Sequence, residues 1–93
     1  MEIKVLGPGC FNCEQVERRV KQVLGELGIA AKVAKVTDWN DMRRYQLIAT
    51  PGLVINEQLV CGGRVPERPE ITQWVITAID REEREAANRS ANG

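Results

Sequence analysis

The chain has 93 residues, 43% of them hydrophobic, which fits one modest globular domain with a single core. Its 13 basic residues balance its 13 acidic residues, so no net charge is left to hold nucleic acid or an acidic membrane surface. No apolar run is long enough to cross a bilayer and no apolar segment follows a charged amino terminus, so we expect a cytoplasmic protein without a membrane partner.

The first predicted strand covers residues 2–6, a β-branched and apolar run that a Gly-Pro-Gly turn at residues 7–9 brings to an end. Cys10 follows this turn directly. From Cys13 onward the chain has the periodicity of an amphipathic helix, which Gly28 terminates. The apolar face of this helix is formed by Val16, Val20, Val23, Leu24 and Leu27. The sequence therefore places two cysteines where a buried strand leads into a helix.

A second strand and a second helix are predicted next. Residues 30–36 form another β-branched run, and Asp38 is a suitable cap for a helix that extends to about Gln46. Three apolar side chains of this region are expected to face inward: Trp39, Met42 and Leu47. The strand–helix–strand order predicts that the first two strands are parallel and joined by a right-handed crossover.

A β-hairpin is predicted in the following part of the chain. Residues 50–52, with the sequence Thr-Pro-Gly, break the preceding helix, and residues 53–55 form a strand. A two-residue turn at residues 56–57 leads into a returning strand at residues 58–61. We therefore expect the third and fourth strands to be antiparallel neighbours.

The last predicted element is an amphipathic helix entered through residues 66–69. Its apolar stripe consists of Ile71, Trp74, Val75, Ala78 and Ile79. We predict one domain at residues 1–80 and a polar tail at residues 81–93, which contains the end of the helix and is then disordered. The complete order βαβαββα predicts an α/β fold with one mixed sheet and helices on both of its faces.

Cys10 and Cys13 are the strongest functional signal in the sequence. A thiolate attacks a disulfide, and the free N–H groups and positive dipole end of a helix N-terminus favour a thiolate at Cys10. Helix positions three apart face the same way, so Cys13 is close enough to resolve a mixed disulfide. Phe11 between them offers an apolar contact to a partner. The pattern predicts thiol–disulfide exchange, with Cys10 as nucleophile and Cys13 as resolving residue.

Metal binding is the main alternative function. Soft thiolates bind copper or zinc, and heavy-metal-associated domains also open with a strand, a loop and a C-x-x-C helix. Those domains carry Met two residues before the first cysteine, where this chain has Pro8, and they close on a strand instead of a helix. Without histidine, and with Cys61 as the one further cysteine, we expect no metal or other cofactor. A redox-sensing interaction domain, whose disulfide alters partner binding without turnover, is a further alternative.

Three motifs carry a resemblance to a known family: the opening IKVLGPGCFNC, the segment TPGLVINEQLV and the turn GGRVP. In these the chain resembles the thioredoxin-like superfamily, especially its small glutaredoxin-like branch of redox-active disulfide proteins in archaea and bacteria. The resemblance implies a four-stranded sheet in the order 2-1-3-4. It also implies a cis proline beside the dithiol, Pro51, which leaves the backbone of Thr50 free to pair with a substrate strand.

The resemblance also implies a reaction cycle and its partners. The expected substrates are disulfide-containing target proteins, because the chain has no convincing set of side chains for a glutathione site. Cys10 attacks the target disulfide, Cys13 releases the reduced target, and a reductase or a low-molecular-weight thiol recycles the pair. The sequence departs from thioredoxin itself, since Gly9 replaces a tryptophan and Phe11-Asn12 replaces Gly-Pro.

Cys61 has two readings in the sequence. A two-residue turn at residues 56–57 sets Gly52 opposite Cys61, beside Pro51 and therefore at the end of the sheet that carries the dithiol. There it is a candidate third redox thiol or metal ligand. The alternative is a small buried hydrophobe in a strand, which is the usual role of a free cysteine.

Lys4 also has two readings. It lies six residues before Cys10, where thioredoxins carry a buried acid that helps proton transfer. A lysine ammonium that approached the dithiol would favour the thiolate. The alternative is a side chain whose charged end reaches water.

Overall fold

A computed structural model describes residues 1–92 of the chain. Its elements follow the predicted order βαβαββα. They are β1 (Glu2–Leu6), α1 (Phe11–Leu27), β2 (Lys32–Val36), α2 (Trp39–Arg43), β3 (Gly52–Ile55), β4 (Gln58–Gly62) and α3 (Arg68–Asn92). Within residues 1–92, no helix has both the length and the apolarity that a membrane crossing requires.

The four strands form one mixed sheet in the order β2-β1-β3-β4, which confirms the predicted topology. β1 is parallel to β2 and antiparallel to β3, and β3 is antiparallel to β4. β1 therefore lies inside the sheet, with hydrogen bonds to both neighbours. Because α1 starts just after β1 ends, Cys10 and Cys13 lie at the end of a central strand of the sheet.

Both faces of the sheet are covered. On one face, alternate residues of β1 and β3 pack in the larger core with the apolar stripes of α1 and α3, including Ile3, Val5, Leu53, Val20 and Val75. On the other face a smaller core consists of Leu6, Val54 and Met42, where Met42 is the buried residue of α2. The two faces alternate along the strands because successive strand side chains point in opposite directions.

The start and end of α1 agree with the sequence analysis. Cys10 is the N-cap, with the extended backbone typical of that position. Gly28 ends the helix in the left-handed conformation, with φ at 67°. Beyond it, the Ile29 N–H donates a hydrogen bond of 2.9 Å to the Leu24 carbonyl, which satisfies one of the last helical carbonyls.

The second helix is shorter than predicted. Asp38 does cap it, since its carboxylate accepts a hydrogen bond of 2.8 Å from the Asn40 N–H, but the helix ends at Arg43 instead of Gln46. Gln46 has a φ of 57°, in the left-handed region, so a right-handed helix cannot continue through it. The prediction that Trp39 faces inward is wrong, because its side chain is 56% exposed. Side chains lean towards the start of a helix, so the first residue of this short helix is left uncovered.

The hairpin turn at Asn56 and Glu57 has the predicted length, and both residues have positive φ. The predicted pairing of Gly52 with Cys61 is wrong: Leu53 is opposite Cys61, and Gly52 is opposite Gly62. The register shifts between Leu53 and Val54, where a β-bulge interrupts the ladder. An extra residue in one strand moves every later pair by one position.

The last helix continues through most of the predicted tail. α3 is helical to Asn92, so residues 81–92 are helical rather than disordered, and Gly93 lies outside the described residues. An ion pair of 3.1 Å between Arg84 and Asp80 supports this part of the helix, as does a hydrogen bond of 3.0 Å from Asn56 to Glu82. The domain boundary at residue 80 stays a prediction.

Candidate active site

The chain reaches the dithiol through a tight turn at the end of β1. The Gly7 N–H donates a hydrogen bond of 2.9 Å to the Val36 carbonyl at the end of β2, which extends the β1–β2 pairing by one residue. Gly9 then takes a φ of 89°, a conformation that glycine adopts without steric cost. This reversal sets Cys10 at the N-cap of α1, where its carbonyl accepts a hydrogen bond of 3.1 Å from Glu14.

The two sulfur atoms lie against each other. Cys10 Sγ and Cys13 Sγ are 2.9 Å apart, because the two residues are separated by one helical turn and face the same way. Their environments differ: Cys10 is exposed, whereas Cys13 is 6% exposed. A partner in solution therefore reaches the sulfur of Cys10 first, and the sulfur of Cys13 lies behind it.

The pKa values of the two thiols are shifted in opposite directions. The pKa of Cys10 is lowered, first by the hydrogen bond that the Cys13 thiol donates to it and then by the backbone N–H of Cys13. The pKa of Cys13 is raised, first by its burial and then by the proton that it shares with Cys10. The site thus favours a thiolate on the exposed cysteine and a protonated thiol on the buried one.

Gly7 is a site residue that the sequence analysis treated only as part of a turn. A Cβ at Gly7 would overlap with Cys13 Sγ and lie 3.8 Å from Thr50 Cβ. The Cys13 sulfur therefore occupies the space that a side chain at Gly7 would need, next to the side chain of Thr50. Nothing in the local pattern reveals this requirement, because it depends on how the end of β1, the first turn of α1 and the distant Thr50 approach each other in the fold.

Thr50 and Pro51 lie beside the dithiol, at the start of β3. The peptide bond between them is cis, the isomer that the family resemblance implies. The Pro51 carbonyl accepts a hydrogen bond of 2.9 Å from the Gly63 N–H, which ties this turn to the end of β4. Phe11, between the two cysteines in the chain, is 70% exposed. The structure thus brings together four of the predicted residues, namely Cys10, Cys13, Thr50 and Pro51, with Phe11 at the surface.

Cys61 lies apart from the pair. It is buried in the larger core, and its thiol is 3.8 Å from the Arg64 carbonyl. Burial raises the pKa of the Cys61 thiol. Within the part of the chain that the structure describes, residues 1–92, no group of three or more His, Cys, Asp or Glu side chains is arranged to hold a metal ion. Cys61 therefore has the environment of a small buried hydrophobe.

Lys4 is directed away from the dithiol. It alternates with Ile3 and Val5 of the larger core, so its side chain is on the face of the sheet that α2 covers. Its ammonium donates hydrogen bonds to Glu57 and to the Tyr45 hydroxyl, the latter of 2.8 Å. These bonds raise the pKa of Lys4, that to Glu57 most strongly. Lys4 thus joins the turn that follows α2 to the hairpin turn, which neither reading of the sequence anticipated.

Comparison with known proteins gives consistent matches over this region. The family model described as a thioredoxin domain matches residues 1–76. A protein named thioredoxin from Methanocaldococcus jannaschii is 37% identical over 78 residues, which cover 84% of this chain and 90% of that protein. Another thioredoxin, from Methanothermobacter thermautotrophicus, is 35% identical over 71 residues, covering 76% of this chain and 92% of that protein. The matched region of the family model includes every site residue described above.

Proposed function

Because the chain belongs to the thioredoxin family of disulfide oxidoreductases, we propose that it reduces disulfide bonds of target proteins through a mixed disulfide on Cys10. Thioredoxins act on disulfide-bonded targets and are recycled by a reductase, so the general kind of partner follows from the family. One observation carries the proposal for this chain: an exposed sulfur and a buried sulfur lie 2.9 Å apart at a helix N-terminus.

In the first step the Cys10 thiolate attacks one sulfur of the target disulfide. A new bond forms between that sulfur and Cys10, the target S–S bond breaks, and the second target sulfur leaves as a thiolate that takes up a proton. Exposure of Cys10 and its lowered pKa support this assignment of the nucleophile. Cys13 is nearly inaccessible and protonated in the same state, which makes it the poorer attacker.

In the second step Cys13 loses its proton and attacks the sulfur of Cys10. The mixed disulfide breaks, the target leaves with its second thiol, and a Cys10–Cys13 disulfide remains. Two electrons have then passed from the dithiol to the target disulfide, and of the two protons on the target thiols one comes from Cys13 and the other from solvent. The short distance between the two sulfurs supports Cys13 as the resolving residue, because no large movement is needed for the attack. A reductase or a low-molecular-weight thiol restores the dithiol.

Target binding is assigned to the surface around Cys10. Thr50 lies beside Cys13, and its backbone precedes the cis bond, where an extended target segment can pair with it. Phe11 presents most of its ring to solvent and can contact an apolar side chain of the target. These two residues support recognition of a polypeptide disulfide in preference to a small one.

Insulin reduction in the presence of dithiothreitol tests the proposal. We expect the wild-type chain to accelerate precipitation of the insulin B chain and Cys10→Ser to remove the acceleration. Cys13→Ser should form a mixed disulfide that persists, and a pull-down with this variant should retain target proteins. Cys61→Ser is the matched control, since it removes a cysteine outside the site and should keep the wild-type rate. Equal rates for the wild type and Cys10→Ser would overturn the proposal.

The subfamily and the location are also proposals. Three cysteines cannot all pair within one chain, and in a reducing compartment cysteines are more often catalytic or buried than structural disulfides, which supports a cytoplasmic location. The glutaredoxin-like branch rests on the three sequence motifs. Glutathione-dependent reduction of hydroxyethyl disulfide tests whether this chain uses glutathione, and we expect a rate far below that of dithiothreitol-coupled insulin reduction, because the sequence offers no convincing glutathione site.

A further inference from the structure

Residues 45–51 form the segment that carries Thr50. This segment packs against three glycines, which we call the glycine seat: Gly52, Gly62 and Gly63. A Cβ at Gly52 would lie 2.8 Å from Leu47 Cδ1 and 3.0 Å from Leu47 Cδ2, and a Cβ at Gly62 would lie 2.8 Å from Leu47 Cδ1. These distances are shorter than a real Cβ contact. The methyl groups of Leu47 therefore fill the volume of two absent side chains on neighbouring strands.

The third glycine of the seat holds the far end of the same segment. A Cβ at Gly63 would lie 3.4 Å from Ala49 Cβ, and the Gly63 N–H donates to the Pro51 carbonyl at 2.9 Å. Between these contacts Ile48 is fully exposed. Side chains on both sides of Ile48 thus pack against the seat, while Ile48 itself faces solvent.

The near end of the segment is held by hydrogen bonds. The Tyr45 hydroxyl accepts a bond of 2.8 Å from Lys4 and donates one of 2.8 Å to Glu57 in the hairpin turn. Tyr45 and Leu47 both pack against the smaller core. The backbone between Tyr45 and Pro51 is therefore attached to the sheet at both ends and in the middle.

We propose that Leu47 is a positioning residue for disulfide exchange with polypeptide targets, because its packing on Gly52 and Gly62 sets Thr50 against Cys13. Leu47 acts through Thr50, which lies next to Cys13: a Cβ added at Gly7 would overlap with Cys13 Sγ and lie 3.8 Å from Thr50 Cβ. The inference rests on the proposed function. A displacement of a positioned group by about 1 Å can cost up to about a hundredfold in rate.

The test uses steric complementation. Gly62→Ala adds a methyl group 2.8 Å from the present position of Leu47 Cδ1, so the two groups cannot both stay in place. Leu47→Ala removes the methyl groups that pack against Gly52 and Gly62. We expect each single variant to lower kcat/KM for insulin by about tenfold, mainly through KM. In the double variant the new methyl group occupies part of the vacated volume, so kcat/KM should return to within about threefold of the wild type. Gly25→Ala is the control, because among residues 1–92 its Cβ meets open space and insulin kinetics should not change.

A second readout separates positioning from general damage. Reduction of 5,5′-dithiobis(2-nitrobenzoate) needs Cys10 and Cys13 and no polypeptide groove, so we expect every variant to stay within about twofold of the wild type. Any one of three results would overturn the inference. These are equal losses of rate on insulin and on this reagent, normal insulin kinetics in both single variants, and no recovery in the double variant. If Gly62→Ala does not fold, Leu47→Val replaces it in the comparison. A wild-type chain that leaves insulin unreduced overturns the proposed function first.

Discussion

Replacing Gly7 with alanine tests the geometry of the dithiol directly. Gly7 is buried at the end of β1, and a Cβ there would overlap with Cys13 Sγ and lie 3.4 Å from Cys13 Cβ. The φ of Gly7 lies outside the left-handed region, so alanine can adopt the same backbone. The effect of Gly7→Ala is therefore steric: the Cys13 side chain must leave its present position or the two backbones must separate.

The size of the effect follows from packing. Overpacking of this kind costs about 1–3 kcal/mol of unfolding free energy. A shift of Cys13 Sγ by about 1 Å costs up to about a hundredfold in the rate at which it attacks Cys10, its neighbour at 2.9 Å. Cys10 is exposed and keeps its access to the target, so the first step of the reaction continues. We therefore expect Gly7→Ala to slow resolution more than attack.

Three measurements check this expectation: urea unfolding of the reduced protein, insulin turnover, and the lifetime of the mixed disulfide with a peptide, read by acid quench and mass spectrometry. Gly7→Ala should unfold at lower urea, turn over insulin at least about tenfold more slowly and accumulate the mixed disulfide. Gly9→Ala is the control from the same turn. It strains a φ of 89°, but among residues 1–92 its Cβ meets open space. Wild-type behaviour of Gly7→Ala, or equally slow resolution in both variants, would refute the steric argument.

The remaining predictions concern the charges and the third cysteine. The hydrogen bond from Cys13 lowers the pKa of Cys10, so alkylation of Cys10 by iodoacetamide should reach its midpoint at a lower pH than for an ordinary cysteine. Cys13→Ala removes this bond and should move the midpoint to higher pH. An unchanged midpoint in this variant would contradict the assignment. Because Lys4 and Tyr45 lower the pKa of Glu57, the pairing stabilises the fold above the ordinary carboxyl pKa and is lost as the pH falls through the lowered value. Glu57→Gln should therefore be less stable than the wild type at pH 7 and equal to it in acid; a stability gap independent of pH sinks this assignment. Cys61 should resist alkylation until the chain unfolds, and Cys61→Ala should keep full turnover while losing about 1 kcal/mol of stability to the cavity; rapid labelling of native Cys61 would place it outside the core.

Local signals predicted the order of the elements and the position of the dithiol. The Gly-Pro-Gly turn, the cap at Cys10 and the left-handed Gly28 each act within a few residues, so the sequence pattern shows them directly. The parallel pairing of β1 and β2 follows from the helix between them. Residue type and spacing were thus sufficient to predict that Cys10 and Cys13 lie together at a helix start.

The features that sequence reasoning missed depend on contacts between distant segments. The bulge in the hairpin moved Cys61 by one residue, and no local signal indicates where a ladder shifts. The exposure of Trp39 depends on how far α2 extends over the sheet. Lys4 has its partners in the turn after α2 and in the hairpin turn, both more than forty positions away in the chain. Each of these outcomes is set by tertiary packing, which overrides a local preference.

Glycines shape this site chiefly through the volume that they leave free. Gly7 leaves room for the Cys13 sulfur, and Gly52 and Gly62 leave room for Leu47. The space at Gly7 fixes the position of Cys13, which forms one wall of the site. The space at Gly52 and Gly62 fixes the position of the segment that carries Thr50, which forms the opposite wall. Since the walls meet where Cys13 and Thr50 approach each other, a methyl group added at Gly7 and one added at Gly62 act on the same contact from two sides. Their effects on stability and on target reduction should therefore both be non-additive, because the two substitutions share that contact.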